Sequence, residues 1–249
     1  MAALSLPGYG VVELLGFGSG GEVWLARERS TGEPVALKRL REGADLAARD
    51  RLRREAAVLA GVEHPHVLRL RSVVGSGDTL VLVLDLATGG SLARLLATRQ
   101  RLEPGEVVTL AVPLAQALAA AHAVGVVHGD VTPANVLFAA DGRPVLSDLG
   151  VARLIGSPAA QRAGTSGFLD PAALGGLDAG PASDVHGLAA TCFAALTGHP
   201  PYDDLGARRS AAAGHGPLLA VLERALAPEP ADRPGAAELA ALAFEATAA

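Results

Sequence analysis

The sequence predicts an α+β fold, with a small antiparallel sheet leading and a larger, mainly helical body following. Three observations carry that expectation. Residues 9–42 and 79–86 alternate apolar and polar side chains with strand periodicity, broken by Gly-rich and Thr-Gly turns. After Ala87-Thr88-Gly89-Gly90 the strand pattern stops and apolar residues recur at helical spacing. Between Val107 and Val127 no charged residue occurs, as expected of a helix buried in a core.

Composition narrows the possible functions. At 249 residues the chain can bury a sizeable core, and with 50% hydrophobic but only 3% aromatic residues that core must be built from Ala, Leu and Val. A net charge of -5 excludes duplex nucleic acid as the main partner, because no dominant phosphate-neutralising surface exists. The single cysteine, Cys192, cannot form an internal disulfide, which fits a reducing cytoplasm. Met1 to Ser5 shows neither the basic region nor the apolar run of a secretion signal, and a cytoplasmic chain is expected. The stretch Val107–Val127 is long enough to span a bilayer. It is diluted by Thr109, Pro113, Gln116, His122 and Gly125 and is rich in alanine, so no transmembrane segment is expected.

The first strand, Gly10 to Leu15, runs into Gly16-Phe17-Gly18-Ser19-Gly20-Gly21, and Glu22 to Arg27 returns as the second. Thr31-Gly32-Glu33-Pro34 marks a turn before a third strand, Val35 to Leu40. The Gly-x-Gly-x-x-Gly spacing also occurs in dinucleotide-binding folds, where the last glycine opens a helix. Here Val23-Trp24-Leu25 is strand-forming, which favours a glycine-rich lid over phosphates. The same residues also fit a plain flexible hairpin. Ala44 to Ala60 follows as an Arg-rich helix containing Glu55, with Leu52, Ala56 and Leu59 on its inward face. Its arginines, balanced by Asp45, Asp50 and Glu55, read as a solvated face, the alternative being a docking patch for an acidic partner. His64-Pro65-His66 resembles a metal pair but lacks further nearby ligands, and reads as a turn before a strand at Val67–Leu70. Thr79 to Leu86 is the next strand, Ser91 to Ala97 a short helix, and Pro104 to Ala123 a long one. Pro113 inside that helix should kink it, at a cost of ~3 kcal/mol unless packing compensates.

Two features then carry chemistry. Of 21 basic residues only Lys38 is a lysine, a compact point charge that can reach a phosphate and a carboxylate together. Downstream, His128-Gly129-Asp130-Val131-Thr132-Pro133-Ala134-Asn135 lies between the long helix and a short apolar strand, and Leu146-Ser147-Asp148-Leu149-Gly150 follows. Asp130, Asn135 and Asp148 offer oxygen ligands suited to a hard cation such as Mg²⁺.

In this order the pieces resemble the protein kinase family, in its bacterial serine/threonine branch, from about Tyr9 to Ala243. Gly164-Thr165-Ser166-Gly167-Phe168-Leu169-Asp170-Pro171 is similar to the family's substrate-facing segment. Ser183 to Leu188 resembles its buried central helix, and Asp232-Arg233-Pro234 its late arginine motif. The resemblance implies a single bilobal kinase domain over residues 1–249. Its N-lobe, about 1–86, holds a five-stranded antiparallel sheet and one helix; a hinge follows at about 85–90 and a C-lobe at about 91–249.

It also implies site roles. Lys38 would hold the α and β phosphates of ATP while pairing with Glu55. Gly16, Phe17, Gly18, Ser19, Gly20 and Gly21 would cover the phosphates. Asn135 and Asp148 would bind Mg²⁺ (or Mn²⁺), and Asp130 would orient the acceptor hydroxyl and take its proton. Leu84 would back the adenine pocket, backbone groups of Asp85 and Ala87 would bond its edge, and Val23, Ala36 and Leu137 would sandwich the ring. Gly164, Thr165 and Phe168 would face the protein substrate. His128, Leu149, Leu59 and Leu70 would stack as an apolar column, making His128 structural and not a base.

Four departures from the family pattern matter. Gly129 replaces the arginine that reads a phosphate on the activation segment, so phosphorylation of Ser157, Thr165 or Ser166 should not switch this chain in the usual way. Thr132 replaces the catalytic-loop lysine, and Ala134 stands where tyrosine-directed members carry an arginine. Losing one such donor typically costs on the order of 10²–10³ in rate. Ala172 replaces the glutamate that usually pairs with the arginine at Arg233, leaving Asp170 as a candidate substitute. Asp203 to Pro217 is short and rich in Ala and Gly where the family has a substrate-docking helix.

The leading expectation is an ATP-dependent kinase for protein Ser/Thr hydroxyls, weakened by Thr132. The alternative is a pseudokinase scaffold acting through partner contacts. A small-molecule phosphotransferase is disfavoured by the Gly-Thr-x-Gly-Phe segment. With no sensor domain in the sequence, input is expected from a regulatory protein partner or a free ligand.

Overall fold

A computed structural model describes residues 4–18, 21–40, 60–76, 79–149, 167–202 and 216–246. The expected Arg-rich helix, with Glu55 and Leu59, lies outside them but for Ala60. So do Ser19, Gly20, Ser157, Gly164, Thr165 and Ser166.

Five strands, β1 (Tyr9–Gly18), β2 (Gly21–Glu28), β3 (Pro34–Leu40), β4 (Leu70–Ser76) and β5 (Thr79–Asp85), form one antiparallel sheet in the order β1-β2-β3-β5-β4. Because side chains alternate across a strand, each strand serves two faces. One face packs Ala26, Val35, Leu37, Val81 and Val83 beneath the N-terminal Leu4 and Leu6. The opposite face packs Ala36, Leu70, Leu80, Leu82 and Leu84, with Val23 and Leu86 against them. Lys38 shares the parity of Ala36 and pairs in register with Val23 and Leu82, so its side chain leaves the sheet on this second face.

One expected strand is displaced. Val67–Leu70 was expected as a strand, but β4 runs from Leu70 to Ser76 and Val67 makes only an isolated bridge to Leu146. The apolar run has a different destination. Val67 joins the core of the helical body, while the Leu68 N–H donates to the Leu146 carbonyl and the Leu146 N–H to that of His66. His66 Nδ1 lies 2.7 Å from the Pro144 carbonyl, and His64 Nδ1 accepts from the His66 N–H, so the pair shapes a turn and ties the two halves together. Burial, and then His66, push the His64 imidazole pKa down.

The helical body contains α1 (Leu92–Arg99), α2 (Pro104–Ala123), α3 (Pro171–Leu174), α4 (Pro181–Thr197), α5 (Gly216–Ala225) and α6 (Ala236–Glu245), with a small hairpin of β6 (Val136–Phe138) and β7 (Pro144–Leu146). Ser91 caps α1 by accepting from the Arg94 N–H. Helix α2 runs on through Pro113. By length and composition it could cross a membrane, yet half of its apolar window is buried here, packed on α6 and α4. Helix α4 is buried from Asp184 through Leu196, as expected of a helix apolar on every side. Gly187 lets it approach the next loop closely: a Cβ there would lie 3.0 Å from the Val131 carbonyl oxygen.

Candidate active site

The catalytic-loop candidates are positioned from below by one buried carboxylate. Asp184, at the start of α4 and 1% exposed, accepts the backbone N–H groups of His128 and Gly129, both at 2.7 Å. Its Oδ2 also takes a bond from His122 Nε2 of α2, at 2.8 Å. Three donors satisfy a charge that would otherwise be costly to bury. Sequence reasoning missed this network, reading His122 only as a polar interruption of an apolar helix. The usable signal was a histidine and an aspartate, each alone in a stretch otherwise free of charge.

Above that anchor the loop orders itself. The Asp130 N–H donates to His128 Nδ1 at 3.3 Å, and the His128 ring is fully buried, which fits a structural histidine and removes it from contact with a substrate. Asn135 Nδ2 donates to both the carbonyl and the Oδ2 of Asp130, at 2.8 and 2.9 Å. This fixes the carboxylate's orientation and leaves the Asn135 amide oxygen for another partner. Ser147 closes the set, its N–H and hydroxyl both donating to the Asn135 carbonyl. The residue after it is Asp148, held in the left-handed region at φ 60°.

Asp148 meets the sheet through Lys38. The distance from Nζ to Oδ2 is 2.6 Å, with the lysine 3% and the aspartate 31% exposed. An ion pair with one partner this buried is retained only where its geometry is good. It joins the floor of the sheet to the loop that follows β7.

The remaining expected contacts divide. Val23, Ala36 and Leu84 share the second face of the sheet and one apolar cluster. Leu137 comes from β6, bridges Ser91 and is not part of that cluster. The Asp85 N–H is taken by the Arg69 carbonyl, so a backbone contact from Asp85 to a ligand must use its carbonyl. Its side chain is engaged by Arg71. Ala87 lies in the connection between β5 and α1. Gly16, Phe17 and Gly18 end β1, Gly21 opens β2, and the Phe17 ring is 66% exposed. In the expected apolar column, Leu149 belongs to the helical core and Leu70 to the sheet's cluster. Phe168 packs partly buried on the helical core.

The substitute suspected for the missing glutamate is in place. Asp170 and Arg233 form a bidentate pair, both bonds 2.7 Å. The guanidinium also donates to the carbonyls of Ala227, Ala182 and Pro228. Asp170 additionally accepts from the Ala172 N–H as the N-cap of α3. At Gly129 the backbone is left-handed, at φ +80°, and a Cβ would meet nothing within 4 Å, so glycine removes strain there.

Among the described residues no three His, Cys, Asp or Glu side chains are grouped so as to hold a metal unaided. A cation beside Asp148 and Asn135 would therefore need oxygens from a bound ligand, which is how Mg²⁺ is usually held beside phosphates.

Comparison with known proteins places this arrangement. Residues 9–242 match the model of the protein kinase domain. The chain is 38% identical to serine/threonine-protein kinase PkaA of Streptomyces coelicolor, over 93% of this chain and 48% of that protein. Its identity to PkaB of the same organism is 40%, over 78% of this chain and 49% of the relative. To PknK of Mycobacterium tuberculosis it is 34%, over 95% of this chain and 23% of the relative. The chain thus spans about half, or less, of the length of these relatives. A model match over nearly the whole length leaves one conclusion: the chain belongs to the protein kinase domain family.

Proposed function

We propose that the chain transfers the γ-phosphoryl group of ATP to serine or threonine hydroxyls of a protein. The observation that carries this reading is the Lys38–Asp148 pair at 2.6 Å, next in chain to the Ser147–Asn135 link that holds the Asp130 loop. Asp130, oriented by Asn135, accepts the acceptor's hydroxyl proton as the oxygen bonds to the γ-phosphorus and the bond to the β-phosphate oxygen breaks, releasing ADP. Lys38 binds the α and β phosphates, with Glu55 as the partner the family pattern gives it. Asp148 and the Asn135 amide oxygen would hold Mg²⁺ or Mn²⁺, which when bound supplies positive charge to the phosphate oxygens. Val23, Ala36, Leu84 and Leu137 line the adenine site, with the glycine-rich loop over the phosphates. Gly129 has no side chain to read a phosphate on the activation segment, so the usual phosphate switch does not operate on this reading, and a regulatory protein partner is one source of control that would replace it.

One observation favours a second reading, an ATP-binding scaffold. Thr132 is buried and neutral where the family has a cation, so the transferred group has one donor fewer. Incubation with labelled ATP and Mg²⁺, beside Asp130→Asn, separates the two. Transfer that depends on Asp130 supports the kinase. No transfer to itself or to a generic protein acceptor, with either metal, sinks it. On the kinase reading Thr132→Lys raises turnover by about 10²-fold, the worth of one transition-state donor.

A further inference from the structure

Beside the Asp130 loop lies a cavity of about 670 Å³, within the ~300–1,000 Å³ usual for binding sites. Thr132, two residues from Asp130, forms part of its wall. The rest of its lining comes from α1 and the residues after it, the end of α4 and Phe168. Much of the lining is apolar, with Leu96, Pro133, Phe168 and Pro200 prominent. Among the described residues no aspartate or glutamate lines it, and Arg101 is the one lining side chain there with a formal charge. Arg101 is exposed, and among the described residues no hydrogen bond or ion pair engages its guanidinium. A site for a basic peptide would need carboxylates here; the described residues offer apolar walls and the Arg101 cation instead.

We infer that this groove selects acidic, apolar substrate segments: a leucine-like side chain fills the cavity and a glutamate or aspartate pairs with Arg101. The inference rests on the kinase reading, because it is Asp130 that sets where the acceptor hydroxyl lies. Thr132, two residues along the chain from Asp130, lines the cavity, and three extended residues span ~10 Å, so the varied residue is placed within three positions of the acceptor.

The test uses threonine peptides that share a leucine and differ only in carrying Glu, Arg or Ala within three residues of the acceptor. Binding is measured by fluorescence anisotropy and transfer with labelled ATP, for the native chain, Arg101→Ala and Arg101→Glu, after melting curves establish that the variants fold. The native chain should bind the Glu peptide about fivefold more tightly than the Arg peptide, the upper end for one exposed ion pair. Arg101→Ala should level the two and Arg101→Glu reverse them. Equal binding of all three peptides, or a Glu preference that survives Arg101→Glu, overturns the inference. Selective binding without transfer supports the groove and rejects the kinase activity, whereas transfer without selectivity rejects the groove and leaves the activity standing.

Discussion

Replacing Asp170 by alanine should cost this chain about 3 kcal/mol of stability. The carboxylate is 5% exposed and its partner guanidinium 0%, with two bonds of 2.7 Å between them. Removing one member of a buried pair strands the other charge and typically costs ~3–5 kcal/mol. Loss of the cap on the Ala172 N–H adds ~1 kcal/mol. Against this, Arg233 keeps its bonds to the carbonyls of Ala227, Ala182 and Pro228, at 2.8 to 3.0 Å, which holds the total near the low end. For a chain of this size 1 kcal/mol moves the melting temperature by ~2–4 °C, so a fall of about 6–12 °C is expected. Circular dichroism melts of the native chain, Asp170→Ala and the double variant Asp170→Ala/Ala172→Glu test this. The double variant returns a carboxylate to the position where the family usually carries glutamate and should recover at least half the loss. A single variant melting within about 2 °C of the native chain, or a double variant with no recovery, would refute the pairing as the anchor of this segment.

The same pair predicts an acid dependence. Burial pushes the Asp170 carboxyl pKa up, but its bonds to Arg233, the Ala172 N–H and Ser183 outweigh that and hold it below the ordinary value. A depressed folded-state value means its stabilisation is full above the unfolded pKa of ~3.9 and is lost as pH falls through the folded one. Stability measured from pH 6 downward should therefore fall more steeply for the native chain than for Asp170→Asn; parallel curves would count against it. Asp184→Ala leaves the His128 and Gly129 N–H groups without their acceptor, at ~1–3 kcal/mol each if they stay buried. Its melting temperature and kcat should both drop, and a variant with native kcat would show that the loop does not depend on this anchor. Cys192 is fully buried, with its thiol pushed up to about 12 by burial. A thiol reagent at pH 8 should label it only on unfolding, and labelling of the folded chain would contradict the core described here.

The order of elements was legible because their signals are local. The strand alternation of β1 to β3, the short helix expected over Ser91–Ala97 and the apolar length of α2 each depend on neighbours within a few residues, and the ends of each fall within three residues of those expected. Val67–Leu70 misled because apolarity states that a residue is buried but not against what. Those residues are divided between the sheet and the helical core.

At the site, chemistry and geometry separate in the same way. The sequence by itself determined which residue types are present and in what order: one lysine, an Asp130–Asn135 pair, Asp148, a neutral Thr132 and a glycine at 129. Only the tertiary structure decided that Asp170, from one end of a loop, meets Arg233 across 63 positions of chain, and that Asp184 gathers His122, His128 and Gly129. The physical reason is that a buried charge must find its partners wherever packing brings donors together, and those donors lie far apart in sequence.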